Sequence, residues 1–498
     1  MSIRASRRAT PGFAVAAVAA LLIAIGFVPG TAGAAEPSDD PQVSAQDNNT
    51  ATEKRKAKKW AKQEATKEIR RCQSGNRYNR DNGSGHYGSY GLTSKQWRNY
   101  GGRYYAKNAA KATKSQQNLV SWRLYQDQGW DGLACPVADW MDVVYRSAPK
   151  TTLSEMLIPG SHDSGSSKID VKAPCPTKLI SAAANLQPLV DANACAVAKL
   201  ARAQGKNLGK QLTAGNRYLD LRVGVPEAKQ LPDSGAPIPP ATDPTSVPLV
   251  LHHNVVSQKL TKGLEQVQRF ARDHPREQVI LDFQHTDLTG DSFVQDYYIN
   301  AFDRLLRKYA PGKNDSICSA AWSSNKISTA DNKLGTGVPI KRAWRAQRNL
   351  LVLFPDGVMP DRPCYRSRDA ALISLWPNTE DPQVSLLDNE GWLQQREAKQ
   401  AGQDPCLDGQ GQWCQLYVSQ LQLSIQAGTQ AQCIFNPTSG CSLKAYAKPV
   451  NNGIADVVTD WRFKDNLPVN IVMLDFANKT NPSVPDAAMR ANWKIAAE

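Results

Sequence analysis

The chain has 498 residues, with 60 Lys and Arg against 46 Asp and Glu, a formal charge of +14. That length supports one large domain and a smaller one, and rules out a fold that depends on disulfides in place of a core. The positive charge is spread along the chain and no nucleic-acid motif is present, so an anionic phospholipid surface or wall polymer is the partner it fits, and nucleic acid is not.

Residues 1–34 read as a signal peptide. Arg4, Arg7 and Arg8 form a cationic start, Phe13 to Val28 is uncharged and mostly apolar, and Ala32-Gly33-Ala34 offers a small-x-small cleavage site. The apolar run is short and ends in Pro29-Gly30, which disfavours a permanent anchor. Removal of this segment takes away three positive charges and no negative ones, leaving +11. The expected location is secreted or cell-wall associated. Ten cysteines, an even number, suit an oxidising compartment, and none forms a C-x-x-C pair, which argues against zinc and redox sites. Proximity pairs Cys175 with Cys195 and Cys318 with Cys364. Cys406, Cys414, Cys433 and Cys441 then form two bridges among three possible connectivities.

In chain order, residues 35–59 are a flexible linker and the start of a charged helix, the polar stretch being Glu36 to Thr52. The helix runs from Glu53 to Arg71, with Trp60, Ala61, Ala65 and Ile69 on its sparse apolar face. Asn76 to Gly102 is too rich in Gly, Tyr, Asn and Ser to be one regular element, and a second helix spans Ser115 to Gln128. These pieces make residues 60–140 a small α-rich domain. From residue 141 to 498 the pattern changes to short apolar runs alternating with amphipathic segments. The runs are Met156–Ile158, Tyr218–Val223, Val247–Leu251, Val279–Phe283, Leu350–Phe354, Leu372–Trp376, Leu416–Leu421 and Ile471–Phe476. Helical stretches such as Leu260–Asp273 and Ser292–Tyr309 lie between them. About eight strands with crossovers predict an α/β fold, a distorted (β/α)8 TIM-type barrel, whose chemistry belongs at the C-terminal ends of the strands. Insertions at Lys172–Gly209, Pro226–Ser246 and Gly391–Ala447 hold most of the remaining cysteines and read as stapled rim loops.

The polar residues at those strand ends are His162 and Asp163 in Ile158-Pro159-Gly160-Ser161-His162-Asp163-Ser164-Gly165, Asp220 and Arg222 in Tyr218-Leu219-Asp220-Leu221-Arg222, His252-His253, and Asp475. Cleaving a phosphodiester by an internal hydroxyl needs a base, an acid for the leaving alkoxide and a fixed cation for the phosphoryl oxygens. Histidines with neighbouring carboxylates supply the first two and arginine the third. Adjacent residues on a strand face opposite ways, so only one of His252 and His253 enters the site. His274 and His285 read as solvated, and Trp376 fits either the cleft or rim packing.

With Val472-Met473-Leu474-Asp475 these motifs, in this order, resemble the bacterial phosphatidylinositol-specific phospholipase C family, from about Val143 to the C-terminus. The resemblance implies transfer to a cyclic inositol phosphate followed by slower hydrolysis. It makes His162 the base on the inositol 2-hydroxyl, oriented by Asp475, and it selects His253, with Asp163 nearby, as the acid. It gives Arg222 the phosphate and Asp220 a supporting place beside the substrate. Calcium-dependent relatives put acidic ligands where Arg222 stands, so no metal and no cofactor are expected. Where the family carries a substrate-binding Lys, this chain reads Leu281-Asp282-Phe283-Gln284-His285, which makes Gln284 the headgroup contact, and Phe354-Pro355-Asp356 lacks an expected basic residue. A phosphodiesterase on another phospholipid or wall polymer, or an inactive cell-wall glycan-binding protein, are the alternatives.

Cys72-Gln73-Ser74-Gly75, Gly85-His86-Tyr87-Gly88-Ser89-Tyr90-Gly91-Leu92, Trp97, Gly101-Gly102, Gln116-Gln117 and Gln128-Gly129-Trp130 resemble the transglycosylase-like, lysozyme-like domain of resuscitation-promoting factors, over about Trp60 to Pro136. That resemblance implies a Cys72–Cys135 bridge. The family's catalytic Glu is Gln73 here, and an amide cannot protonate a glycosidic oxygen, so the module is expected to bind peptidoglycan without cutting it.

Overall fold

The computed structural model describes residues 47–498 except 75, 82–84, 129–132, 134–138, 146–147, 227–243, 289–291, 311–315, 323–337, 403–414, 439, 481–483 and 498. The signal-peptide residues and Cys135, Cys406 and Cys414 lie outside the described set. So does all of the predicted linker before residue 47, whereas its last residues begin the helix Asp47–Trp60. The single charged helix expected to Arg71 is two: the chain turns at residues 61–63, and Glu64–Ser74 forms the second. The break lets Trp60, Ala61 and Ile69 all reach the interior.

A two-stranded ribbon, β1 (His86–Tyr87) and β2 (Leu92–Thr93), and the helices Ser94–Asn99 and Lys114–Gln128 complete the N-terminal region. Trp60, Ile69, Tyr90, Trp97 and Leu124 join one apolar cluster that continues through Trp140 and Met141 to Ile158, Tyr218, Ile280, Leu353, Val418 and Met473 of the large sheet.

That sheet contains β3 (Ile158–Ser161), β4 (Tyr218–Gly224), β5 (Val250–His253), β6 (Val255–Lys259), β7 (Val279–Asp287), β8 (Leu350–Phe354), β9 (Arg366–Ser367), β10 (Leu372–Leu375), β11 (Leu416–Gln420) and β12 (Ile471–Leu474). The order β10-β11-β12-β3-β4-β7-β8-β9 is parallel throughout, a curled, open barrel with no pairing between β9 and β10 among the described residues. Outward-facing Leu219, Leu221 and Val223 pack against the buried stripe Leu260, Leu264, Val267 and Phe270 of the helix Leu260–Asp273.

One expected barrel strand is corrected. The Val247–Leu251 run leads into β5, which is antiparallel to β4 and forms a hairpin with β6. The crossover helix starts after that hairpin and delivers the chain to β7, so β4 and β7 are the true parallel neighbours. The eighth parallel strand is the two-residue β9. The insertions are also more regular than loops: helices Gln187–Ala201 and Ala427–Phe435 lie within them, stapled by Cys175–Cys195 and Cys433–Cys441, while Cys318–Cys364 bridges elsewhere as proximity predicted. No helix among the described residues is long and apolar enough to cross a membrane.

Candidate active site

The glycines of the first motif are required by close approach. A Cβ on Gly160 would lie 2.9 Å from the Tyr218 ring, and one on Gly165 would lie 2.7 Å from Leu251 Cβ. They let β3 and the following turn press against β4 and β5. At the strand ends the chain turns through left-handed backbone at Asp163 (φ 41°), Asn254 (φ 57°) and Phe476 (φ 46°), each in or beside the polar cluster. Such conformations cost about 1–3 kcal/mol at a non-glycine residue and persist where surrounding contacts over-determine them.

Gln204 supplies several of those contacts. Its Nε2 donates to the carbonyls of His162 (2.8 Å) and Leu474 (2.9 Å), and its Oε1 accepts from Ala477 N (3.2 Å), tying the ends of β3 and β12 together. Asn451 Nδ2 donates to the Asp475 carbonyl at 2.9 Å. Neither amide was legible in the sequence, because each lies in an insertion or helix with no local motif around it.

The strand ends bring His162, Asp163, Asp220, Arg222, His253 and Asp475 into one cluster. His162 Nδ1 donates to Asp475 Oδ1 at 2.8 Å, while its Nε2 lies 3.2 Å from Asp163 Oδ2 and 4.0 Å from Asp220 Oδ2. Asp220 Oδ2 also accepts the Asp163 backbone N–H at 2.9 Å. His253 Nδ1 donates to the Ala201 carbonyl at 2.9 Å, and its Nε2 lies 3.1 Å from the same Asp163 Oδ2. Arg222 Nε is 2.5 Å from Asp163 Oδ1. The contacts to Asp163 are close charge pairs without aligned hydrogen-bond angles. The two rings stand 5.8 Å apart, nearly perpendicular.

The shared carboxylate makes the histidines unlike. Burial opposes charge on His162, but Asp163, Asp475 and Asp220 outweigh it and raise its pKa to about 9. Burial lowers His253 to about 4; Asp163 pulls it up, whereas Arg222 and His162 push it down. Both nitrogens of His253 nevertheless face acceptors, which favours the imidazolium while Asp163 stays in contact. Burial nonetheless prevails, so the ring gives up a proton readily, with Asp163 the carboxylate that draws it back toward the charged form. Burial works against the Asp163 carboxylate too, yet Arg222, His253 and His162 hold it well below the usual range. Burial pushes Asp475 up, with His162 drawing it back.

His252 points away from this cluster to Asp287, 3.2 Å from its Nε2, as strand alternation requires. Gln284 sits half-buried in β7, at a register shift that places Asp282 opposite Asp220 and His285 opposite Arg222. His285, expected to be solvated, is half-buried there, and burial together with Arg222 lowers its pKa. His274 pairs with Asp139 at 2.6 Å, away from the cluster. In the barrel interior Arg368 Nε contacts both oxygens of Asp282 (2.9 and 3.0 Å), and Tyr218 Oη donates to the same carboxylate at 2.6 Å. Arg368 is a cation beside β7 that no sequence motif indicated. Burial raises Asp282 to about 6 despite Arg368.

Ligand atoms of His162, Asp163 and Asp220 lie within 4.8 Å of one another. They do not fit a calcium ion: three donors fall short of the six to eight oxygens it takes, and Arg222 already neutralises Asp163. In the N-terminal region Gln73 packs beneath the ribbon, where a Cβ on Gly91 would come 2.2 Å from its Oε1.

Comparison with known proteins finds two kinds of relative. Residues 60–136 match the family model of the transglycosylase-like domain. A resuscitation-promoting factor of Corynebacterium glutamicum is 34% identical over 62 residues, which is 12% of this chain and 32% of that one. The human PI-PLC X domain-containing protein 3 is 28% identical over 251 residues, 50% of this chain. That match spans 66% of the human protein, just under two thirds of its length. The phosphatidylinositol-specific phospholipase C of Listeria monocytogenes superposes with a TM-score of 0.44 and 15% identity, covering 72% of this chain and 98% of that one.

Proposed function

We propose that this chain, homologous in its barrel to the phosphatidylinositol-specific phospholipase C proteins and carrying a transglycosylase-like module in front, is an exported phospholipase C that cleaves phosphatidylinositol-type lipids without a metal. One observation supports this most: two histidine Nε2 atoms face a single carboxylate oxygen, at 3.2 and 3.1 Å, beside a guanidinium. His162 Nε2 takes the proton of the inositol 2-hydroxyl, whose oxygen attacks phosphorus. His253 Nε2–H protonates the departing glycerol oxygen as the P–O bond breaks, leaving a cyclic inositol phosphate and a lipid alcohol. Water then opens the ring with the two roles reversed. Arg222 holds the non-bridging oxygens, Asp475 keeps His162 Nδ1–H in place, and Asp163 and Asp220 hold the charges in register. Each proton transfer is worth roughly 10²–10⁴ in rate.

Headgroup contacts fall to the β7 side, where Gln284 and the Asp282–Arg368 pair offer donors and acceptors for ring hydroxyls. The module with Gln73 holds the enzyme at peptidoglycan without cutting it. The test is turnover of phosphatidylinositol in mixed micelles by the full protein and by His162→Ala. Turnover that disappears in a folded variant supports the reading; equal turnover by both removes His162 as the base.

A further inference from the structure

A cavity of about 460 Å³ opens from His162, Arg222 and His253. It lies on the His253 flank: the helix Gln187–Ala201 ends on Ala201, whose carbonyl holds His253 Nδ1, and Leu189, Val197 and Leu200 of the same segment line the cavity. Ile425, Ile434 and Leu443 form the facing wall. The size falls within the roughly 300–1,000 Å³ of small-molecule sites.

Both walls are braced. Cys175–Cys195 and Cys433–Cys441 staple the two insertions, and Asn193 Nδ2 donates to the Ile434 carbonyl at 3.1 Å between them. The space is therefore preformed, and Trp376, 54% exposed, stands at its lining beside solvent.

We infer that this cavity is an acyl-chain slot that receives the hydrocarbon of the leaving lipid alcohol. The inference rests on the function proposed above, because it is the acid His253 that fixes which side of the phosphorus the leaving group occupies. An alcohol protonated there lies along Val197 and Leu200, where a methylene chain gains burial and a polar alcohol loses hydration. The slot makes the enzyme discriminate by the leaving chain, even for lipid molecules free in solution.

The test uses the full protein and inositol phosphodiesters with n-alkyl leaving groups from butyl to decyl, all below their micellar concentrations. kcat/KM should rise roughly two- to fourfold per added methylene and level off when the slot is full. Leu200→Arg should collapse the decyl-to-butyl ratio, and Leu200→Met should keep it. Separately, a pyrene-labelled decanol should bind saturably, at least tenfold more weakly to Leu200→Arg. Turnover independent of chain length overturns the slot. Saturable alcohol binding that Leu200→Arg weakens, with no inositol phosphodiester cleaved, upholds the slot and overturns the proposed reaction; no binding and no turnover overturn both.

Discussion

Arg217, just before β4, and Arg222, near its far end, both face a carboxylate, and the two pairs are built to opposite specifications. Arg217 is fully buried. Its Nε donates to Glu277 Oε2 at 2.8 Å, Nη2 lies 2.7 Å from the same oxygen, and Nη1 donates to the carbonyls of Leu212 and Asn216. Glu277 in turn accepts the backbone N–H groups of Met141 and Asp142, so the pair bolts the segment entering the barrel to its floor. Arg222, 21% exposed, meets Asp163 through one close contact with poor hydrogen-bond alignment, beside an open cavity. A pair whose valences are all filled holds a structure together. A pair with valences left over is ready for a ligand. The division follows the barrel rule that strand N-terminal ends serve stability and C-terminal ends serve chemistry.

The largest effect should come at the open end. His162→Ala should cut kcat by about 10²–10⁴-fold with little change in thermal stability, measured on phosphatidylinositol and by calorimetry. Arg217→Met should do the reverse: it strands a buried carboxylate and should cost about 3–5 kcal/mol in denaturant unfolding, while kcat of the remaining folded protein is unchanged. If Arg217→Met lost activity without losing stability, the contrast between the two pairs would be wrong. Gln204→Ala should fall between them. It leaves the His162 and Leu474 carbonyls unpaired, costing roughly 1–3 kcal/mol, and it loosens His162, the proposed base, so both readouts should move.

The smallest effect is one of pH. The folded pKa of His162, about 9, lies above its ordinary 6.5, so its bound proton stabilises the fold fully below pH 6.5, and that contribution is lost as pH rises through about 9. Catalysis needs the proton off. It also needs a proton on His253, whose pKa is lowered to about 4, so kcat/KM should stay level between about pH 4 and 9 and fall above that, where stability has also declined. Asp475→Asn removes one of the charges that raise the His162 pKa and should move that fall to lower pH; an unmoved profile would show that another group controls it.

The same contrast explains what the sequence revealed. The open end was legible because its residues crowd into short motifs: the glycines of Ile158–Gly165 serve close approach, and His162, Asp163, Asp220 and Arg222 stand at or near strand ends. What stayed hidden depends on distant partners. Gln204, Asn451 and Arg368 reach the cluster or the barrel interior from other segments, and nothing local marks them. The direction of β5 was misjudged because an apolar run reads the same in a parallel strand or a hairpin, and His285 because the register shift beside Arg222 is invisible to periodicity. Gln73 was plain from its place after Cys72; Gln73→Glu with recovered muramidase activity would show that only the acid is missing there.

The most direct test follows phosphorus NMR of phosphatidylinositol in mixed micelles with the full protein, alone, with chelator and with added calcium. A cyclic inositol phosphate that forms equally in all three is the expected result, since Arg222 supplies the cation. Product that requires calcium, or an acyclic phosphate with no cyclic precursor, would contradict the roles given to Arg222 and His162.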